Sequence, residues 1–256
     1  MTIYVMLSGL PGNMATEATR VLEKQDDIEV SVYALTGPRE KDLMFHGREL
    51  IPPSRHLEYL RDRKDSLGDD LIVVDYSKAL IQEHAELYAR AGVPFVYGGT
   101  IGNRAEAEWI VRESDISAVI APNMSRQLVA WTAALEYIAR EFPNAFSGYT
   151  GHINEDHQLT KTDPSGTGLA WMRTMREWGI EFDEMHSIRD KEFGHAYHDV
   201  DLESPDGTVR IGFYTRVDGR QTYADGTPDA VRYLHRKMQE GSQGEVFSMV
   251  DVLRKT

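Results

Sequence analysis

Thr2 to Leu22 reads TIYVMLSGLPGNMATEATRVL. Thr2 to Leu7 form a short apolar strand. Gly9 and Gly12 then make a tight turn, after which Met14, Ala18, Val21 and Leu22 fall at helical spacing. A strand that turns on glycines directly into a helix offers backbone N–H groups and the positive helix end to a pyrophosphate. Ala15 stands where the usual dinucleotide fingerprint has its third glycine, and it is small enough for the helix to pack on the strand. The G-x-x-G pair alone is a weak motif, and its place between a strand and a helix makes it informative.

Outward from this turn, strand and helix alternate as far as residue 124. The strands are IEVSVYAL (28–35), DLIVVDYS (70–77), VPFVYGGT (93–100) and SAVIAPNM (117–124). KALIQEHAELYARAG, ended by Gly92, and NRAEAEWIVRES are amphipathic helices between them. The near-continuous apolar run LIVV is that of a strand buried on both faces. This alternation predicts an α/β fold with a doubly wound parallel sheet. Beyond the long helix RQLVAWTAALEYIAREF (126–142) the strands alternate with period two: FSGYTGHI, DEMHSIRD, GHAYHDVDLES and TVRIGFYTRV. SPDG at Ser204–Gly207 marks a hairpin. The middle region therefore reads as an α+β domain with a mixed, mostly antiparallel sheet carrying helices on one face.

The chain has 256 residues, 41% hydrophobic and 27% charged, ordinary for a soluble globular protein. A net charge of −13 argues against nucleic acid as the main partner. The absence of cysteine removes disulfides, thiolate nucleophiles and Cys-ligated metal centres, and is compatible with a reducing cytosol. MTIYVMLSGLPGNM lacks the basic segment and long apolar run of a signal peptide, and no stretch approaches a membrane span, so no membrane association is expected.

The end of the second strand, ALTGPREK, carries Thr36, Arg39 and Lys41 in place of the acidic residue that holds a ribose 2′-hydroxyl. A hydroxyl and two cations favour a 2′-phosphate, hence NADPH, with NADH as the alternative; Lys41 reads equally as a solvated loop charge. DYS (75–77) and YGGTIGN (97–103) lie at the carboxyl ends of parallel strands, where ligands of open sheets sit. Gly98 and Gly99 allow close approach of a nicotinamide ring.

The densest chemistry is INEDHQLTKTDPSGTG (153–168). Ser165, Gly166 and Thr167 precede the amphipathic helix GLAWMRTMREWG and form either a plain N-cap or a carboxylate site built from N–H and hydroxyl donors. Lys161 adds a positive charge beside them, with His157 four positions earlier. Delivery of a hydride to an unsaturated imine leaves an electron-rich enamine that needs a proton, and Lys161 or His157 can donate it. A rival reading makes His152, Glu155 and His157 metal ligands, completed by His195 or His198.

EDHQLTKTDPSGTG resembles the E-x-H-[HQ]-x-x-K-x-D-x-S-G-T signature of the dihydrodipicolinate reductases. Gln158 after His157, and the spacing from Lys161 to Ser165, are similar to the plant-type branch. GLPGNM, LIVVDYS, AELYARAGVPFVYGGT, FPNAFSGYTGHINEDHQ, GHAYH, SPDGTV, YADGTPDAV and MVDVLR extend the likeness over nearly the whole chain. The resemblance implies NAD(P)H-dependent reduction of dihydrodipicolinate (4-hydroxy-tetrahydrodipicolinate) in diaminopimelate and lysine biosynthesis. It implies a Rossmann-like dinucleotide domain from residues 1–124 with 221–256, around a substrate and oligomerisation domain of residues 125–220. Lys161 would be the proton donor and His157 its neighbour. Gln158, Ser165, Gly166, Thr167 and Thr100 would hold a small dicarboxylate. Gly9, Gly12, Asn13 and Met14 would hold the pyrophosphate, with Gly98, Thr100, Asn123 and Met124 also at the cofactor. A homodimer or homotetramer is implied, in the cytoplasm or, after loss of a transit peptide, the plastid stroma. The family's nicotinamide loop reads G-T-T-G, whereas here Gly99 lacks a hydroxyl and Ile101 adds a branched side chain. These departures keep open a reductase of another cyclic imine or unsaturated carboxylate; a nucleotide-binding regulator without turnover is the non-enzyme alternative, against which the retained His157 and Lys161 speak.

Overall fold

The computed structural model describes residues 2–36, 44–162 and 164–254. Contacts divide the chain into two compact units, Met1–Arg126 with Tyr223–Thr256, and Gln127–Thr222.

In the first unit, β1 (Ile3–Leu10) runs into α1 (Asn13–Leu22), and β2 (Ile28–Thr36) follows. A two-strand excursion, β3 (Met44–Phe45) and β4 (Arg48–Ile51), leads to α2 (His56–Leu67), which the sequence pattern did not announce. Then come β5 (Leu71–Asp75), α3 (Ile81–Ala91), β6 (Phe95–Tyr97), α4 (Arg104–Arg112) and β7 (Ala118–Ile120). Helix α5 (Arg126–Glu141) leads into the second unit, which holds β8 (Thr150–Gln158), α6 (Gly166–Arg176), β9 (Glu181–Phe182), β10 (His186–Lys191), β11 (His195–Glu203) and β12 (Arg210–Asp218). The chain then returns to the first unit with α7 (Thr227–Gln239), β13 (Val246–Phe247) and α8 (Met249–Leu253).

The first sheet has the order β13-β7-β6-β5-β1-β2-β4-β3 and is parallel except for the terminal β3–β4 pair. The strand order reverses direction at β1, the point at which open parallel sheets bind ligands beyond their carboxyl ends. Alternate residues bury opposite faces. Met6, Leu35, Val73, Phe95 and Ile120 share one core with Leu60, Ala85, Tyr88 and Val111 of the helices α2 to α4. Helix α7 packs against α1 and against β5, β6 and β7. The apolar run of β5 is buried at all five positions, as a strand covered on both faces requires. Gly92 ends α3 in the left-handed conformation at φ 70°.

The returning segment meets the first unit close to where the chain left it. The Gly226 N–H donates to the Met124 carbonyl at 3.1 Å, and Arg126 pairs with Asp229. Val246 and Phe247 then pair with Ala118 and Val119 at the sheet edge.

The second sheet is mixed. β8–β11 and β11–β12 are long antiparallel pairs, whereas β10 and the short β9 lie parallel to β8. The Ser204–Gly207 turn joins β11 to β12, with Gly207 at φ 69°. One face of this sheet is covered: Ile153, Val200 and Leu202 pack with Leu135 of α5 and with Trp171, Met172 and Met175 of α6. The fold is therefore the expected Rossmann-like doubly wound parallel sheet plus an α+β unit with a mixed sheet. Among the described residues no helix is long and apolar enough to cross a membrane.

Candidate active site

In the first unit the carboxyl ends of β1, β5 and β6 converge. Gly9 adopts φ +104°, and a Cβ there would stand 2.6 Å from the Ser77 nitrogen and 2.8 Å from the Tyr76 carbonyl carbon. Glycine is needed at this position for both conformation and clearance. Gly12 donates its N–H to the Gly9 carbonyl at 2.8 Å and caps α1 without a side-chain hydrogen bond. Asn13 and Met14 form the first turn of α1, whose N–H groups are the orphan donors of a helix start.

Asp75 closes β5 and organises the loop beside this turn. Its carboxylate is fully buried and accepts from the Ser77 N–H (2.7 Å), the Tyr88 hydroxyl (2.7 Å) and His84 Nδ1 (2.5 Å). Burial pushes this carboxyl up, but the His84 charge and these hydrogen bonds outweigh it and hold it at about 2. Burial opposes protonation of His84, whereas Asp75 favours it, and the balance raises the imidazole. The Tyr76 ring occupies the space over Gly98, where a Cβ would lie 2.1 Å from the ring. The Tyr76 hydroxyl shares a 2.7 Å hydrogen bond with Thr227 and donates to Met124 Sδ at 3.0 Å. Gly99 likewise leaves room for the Tyr97 hydroxyl, 2.5 Å from its absent Cβ; that hydroxyl donates to the Ile101 carbonyl.

Thr36 lines a cavity of about 300 Å³ with Pro53, His56, Lys78, Ala79, Leu80, Glu83 and His84. Of the residues expected at a dinucleotide, Gly9, Gly12, Asn13, Gly98 and Thr36 lie around the strand ends. Arg39, with Lys41, falls outside the described residues. Thr100 is exposed. Asn123 is used locally, its Oδ1 accepting the Ser125 N–H at 2.9 Å, and Met124 is buried beneath Tyr76 and Thr227. Lys78, His56 and His84 come from separate elements, so no local motif announced their meeting.

In the second unit EDHQ belongs to β8, and strand alternation sorts its side chains. Glu155 and His157 share the covered face with Ile153 and are themselves buried. Asp156 and Gln158 take the alternate register toward the other face, so Gln158 is not brought to His157. Cross-strand register sets Ser187 of β10, Glu155 of β8, His198 of β11 and Thr215 of β12 in one row.

A buried carboxylate in an apolar layer must be paired. Arg189 of β10 donates to both Glu155 oxygens, at 2.9 and 2.5 Å, Ser187 donates at 2.6 Å, and His157 Nδ1 also bonds to this carboxylate. Burial would raise Glu155, yet these donors hold it at about 2. With Nδ1–H committed to Glu155, the His157 tautomer leaves Nε2 as the acceptor. Burial lowers His157; Glu155 opposes that, while the nearby Lys161 and Arg189 charges add to it. Lys161 is half-buried; its N–H donates to the Gln158 carbonyl at 2.9 Å, and its own carbonyl accepts from Arg189 Nε at 2.9 Å.

Ser165 caps α6, its Oγ accepting the Gly168 N–H at 3.2 Å and lying 2.6 Å from His198 Nε2. A Cβ on Gly166 would meet nothing within 4 Å, so the turn is open on that side, and Thr167 follows half-buried. Burial and the His157 charge lower His198 to about 4, which leaves it neutral at neutral pH. The two imidazole centroids are 5.4 Å apart.

The rival metal reading does not fit this arrangement. His152 takes the alternate register on β8 and is exposed, and both Glu155 oxygens are engaged by Arg189, Ser187 and His157. His195 faces Asp156 and the Phe193 carbonyl, on the side of β11 opposite His198. Among the described residues no three potential ligands are grouped to hold a metal ion.

Sequence reasoning passed over Arg189, Ser187 and the pairing role of Glu155. The signal was E-x-H on a period-two strand, which demands a partner for the carboxylate.

Residues 3–124 match the family model for the N-terminus of dihydrodipicolinate reductase and residues 129–253 that for its C-terminus. A chloroplastic 4-hydroxy-tetrahydrodipicolinate reductase 1 of Arabidopsis thaliana is 42% identical, the match covering 99% of this chain and 78% of the relative. A probable chloroplastic 4-hydroxy-tetrahydrodipicolinate reductase 1 of Oryza sativa is 42% identical over 73% of this chain, and the match spans 59% of that relative's length, less than two thirds. The dipicolinate-bound dihydrodipicolinate reductase from Paenisporosarcina sp. TG-14 shares the fold with a TM-score of 0.70 at 18% identity, covering 98% of this chain and 99% of that one. The two family halves, matched in order along almost all of the chain, identify it as a member of the dihydrodipicolinate reductase family.

Proposed function

We propose that this protein uses a nicotinamide dinucleotide to reduce 4-hydroxy-tetrahydrodipicolinate, or dihydrodipicolinate, to tetrahydrodipicolinate. The observation that carries this reading is the Glu155–His157 pair beside Lys161, in the same unit as the open Ser165–Gly166–Thr167 helix start. That combination offers a site for a carboxylate and a proton for a reduced heterocycle.

The first unit fits a dinucleotide. Gly9 keeps a cradle that a Cβ would fill, α1 begins without a side-chain cap, and Gly12, Asn13 and Met14 follow at its start. When bound, the cofactor supplies a hydride. Gly98 and Thr100 are the residues we place beside its nicotinamide, and Asn123 and Met124 support the wall behind it. We assign the cavity beside Thr36 to the adenosine end. Lys78 brings a cation to that cavity, His84 is paired with Asp75, and Glu83 is the one carboxylate lining it among the described residues; Lys78 beside the Thr36 hydroxyl supports NADPH over NADH. Arg39 is assigned to the 2′-phosphate of NADPH on sequence grounds alone.

In the second unit the Ser165 to Thr167 donors take a carboxylate of the substrate, whereas Gln158, on the other face of β8, is left out of that contact. Neutral His157 has no proton on Nε2 to give, because Nδ1–H faces Glu155. Proton donation therefore falls to the Lys161 ammonium, and His157 Nε2 is the acceptor beside it that can pass a proton back from solvent. The Arg189–Glu155–His157 chain keeps that ring in one orientation. Residues 125–220 would also carry self-association as a homodimer or homotetramer, through the sheet face opposite the core, where Tyr214 of β12 is 71% exposed. A cytoplasmic or stromal setting matches this chemistry and the chloroplastic designation of the plant relatives.

Ile101, 41% exposed on the loop after β6, favours one second reading, a reductase of a different cyclic imine or unsaturated carboxylate. Purified protein given enzymatically generated 4-hydroxy-tetrahydrodipicolinate and either NADPH or NADH decides between them. Loss of reduced-nicotinamide absorbance, faster with NADPH and abolished in Lys161→Ala, is expected. Absence of turnover with both cofactors refutes the main reading.

A further inference from the structure

Arg189 touches neither of the groups assigned to proton transfer by its own charge, yet it is bonded to the support of each. Its side chain is 19% exposed, and the guanidinium is planar, with donors pointing in fixed directions. The two terminal nitrogens grip Glu155 at 2.9 and 2.5 Å, and Glu155 in turn holds His157 Nδ1. The remaining nitrogen, Nε, donates to the Lys161 carbonyl at 2.9 Å. Lys161 lies beyond the end of β8, in a turn otherwise tied by its own N–H to the Gln158 carbonyl and by the Leu159 N–H to the Lys191 carbonyl at 2.8 Å. One rigid fork thus spans from the strand that carries the imidazole to the turn that carries the amine.

We propose that Arg189 is a positioning residue for proton delivery, fixing the Lys161 backbone relative to the Glu155–His157 pair. This rests on the assignment of Lys161 and His157 above. A lysine at 189 keeps the positive charge but is a single point of donation; it can meet Glu155 or the Lys161 carbonyl and cannot bridge them. The groups facing the His157 ring are Glu155 on its own strand, His198 from β11, Lys161 from the following turn and Arg189 from β10. Loss of the Arg189 charge removes one repulsion and leaves Glu155 unchallenged, so the imidazole then protonates at higher pH.

The test compares Arg189→Lys, Arg189→Gln and Lys161→Ala in the full chain, each checked for a native thermal transition. Arg189→Lys is expected to lower kcat about 10- to 100-fold, the cost of a misplaced reacting group, with KM for NADPH within about twofold of wild type. Histidine NMR, with the His157 resonance assigned from His157→Asn, is expected to show a higher titration midpoint in Arg189→Gln and a near-normal one in Arg189→Lys. Wild-type kcat and an unmoved His157 midpoint in Arg189→Lys and Arg189→Gln, with Lys161→Ala inactive, overturn the positioning role while leaving the proton donor in place. Full activity of Lys161→Ala overturns the underlying assignment instead. Should Arg189→Gln fail to fold, the kcat and KM of Arg189→Lys still decide the matter.

Discussion

Glu155→Gln removes one negative charge from the covered layer of the second unit and changes almost nothing in shape. The folded protein holds this carboxyl at about 2, against its ordinary 4.5. Burial opposes ionisation, and hydrogen bonds from Arg189, Ser187 and His157 overcome it. A difference of about 2.5 in pKa, at about 1.4 kcal/mol for each tenfold change in proton affinity, makes the ionised carboxylate worth about 3 kcal/mol to the fold. The sign follows from the direction. A carboxyl that is a stronger acid when folded contributes fully above its unfolded pKa, and the contribution drains away as pH falls through the folded one. The wild-type advantage should therefore be complete above about pH 5, about half gone by pH 3 and absent below pH 2. Glutamine carries none of it. Urea unfolding of both proteins from pH 7 to pH 3, followed by circular dichroism, reads the effect directly. The expected result is a gap of about 3 kcal/mol at pH 7 that narrows in acid. A gap that stays constant across this range would show packing rather than charge at work, and no gap at all would refute the buried ion-pair account.

Two further substitutions test the other parts of the site. Gly9→Ala sets a Cβ against the Ser77 backbone in a residue at φ +104°; a loss of about 1–3 kcal/mol in thermal stability and a more than tenfold weaker NADPH complex, read by nucleotide fluorescence, are expected. Ser165→Ala removes both the α6 cap and the partner of His198; it should cost about 1 kcal/mol in stability and raise KM for the dicarboxylate with a smaller change in kcat, and an unchanged KM would remove this turn from substrate binding.

The first unit was legible in the sequence because its signals are local. A glycine turn between strand and helix, the buried run of β5 and the Gly92 stop each depend on neighbours in the chain. Helix α2 was not, since only His56 and Leu60 of its twelve residues are buried and the apolar stripe is too thin to read. The EDHQ stretch has the polar composition of a loop, yet it is a strand, because partners contributed by β10 satisfy its buried charge. Ser187 and Arg189 lie more than thirty positions away, and nothing in the local pattern reveals them. The same alternation sends His152 and His195 away from Glu155 and His198, which is why a histidine-rich string that suggests metal ligands does not gather three of them among the described residues. Lys78, His56 and His84 meet only through tertiary packing, so a reading of the β2 end by itself places the positive charge entirely on Arg39 and Lys41.

The Gly226–Met124 hydrogen bond and the Arg126–Asp229 pair bring the chain's departure from the first sheet and its return to it side by side. Topologically, residues 127–222 are a cassette inserted within the sequence of the first unit, whose last strand is supplied afterwards. Excising the cassette would leave two ends that a short turn can rejoin, whereas deleting Val246 and Phe247 would strip β7 of its outer partner and make it the edge strand in their place. The first sheet is thus completed only by residues that follow the cassette in the chain.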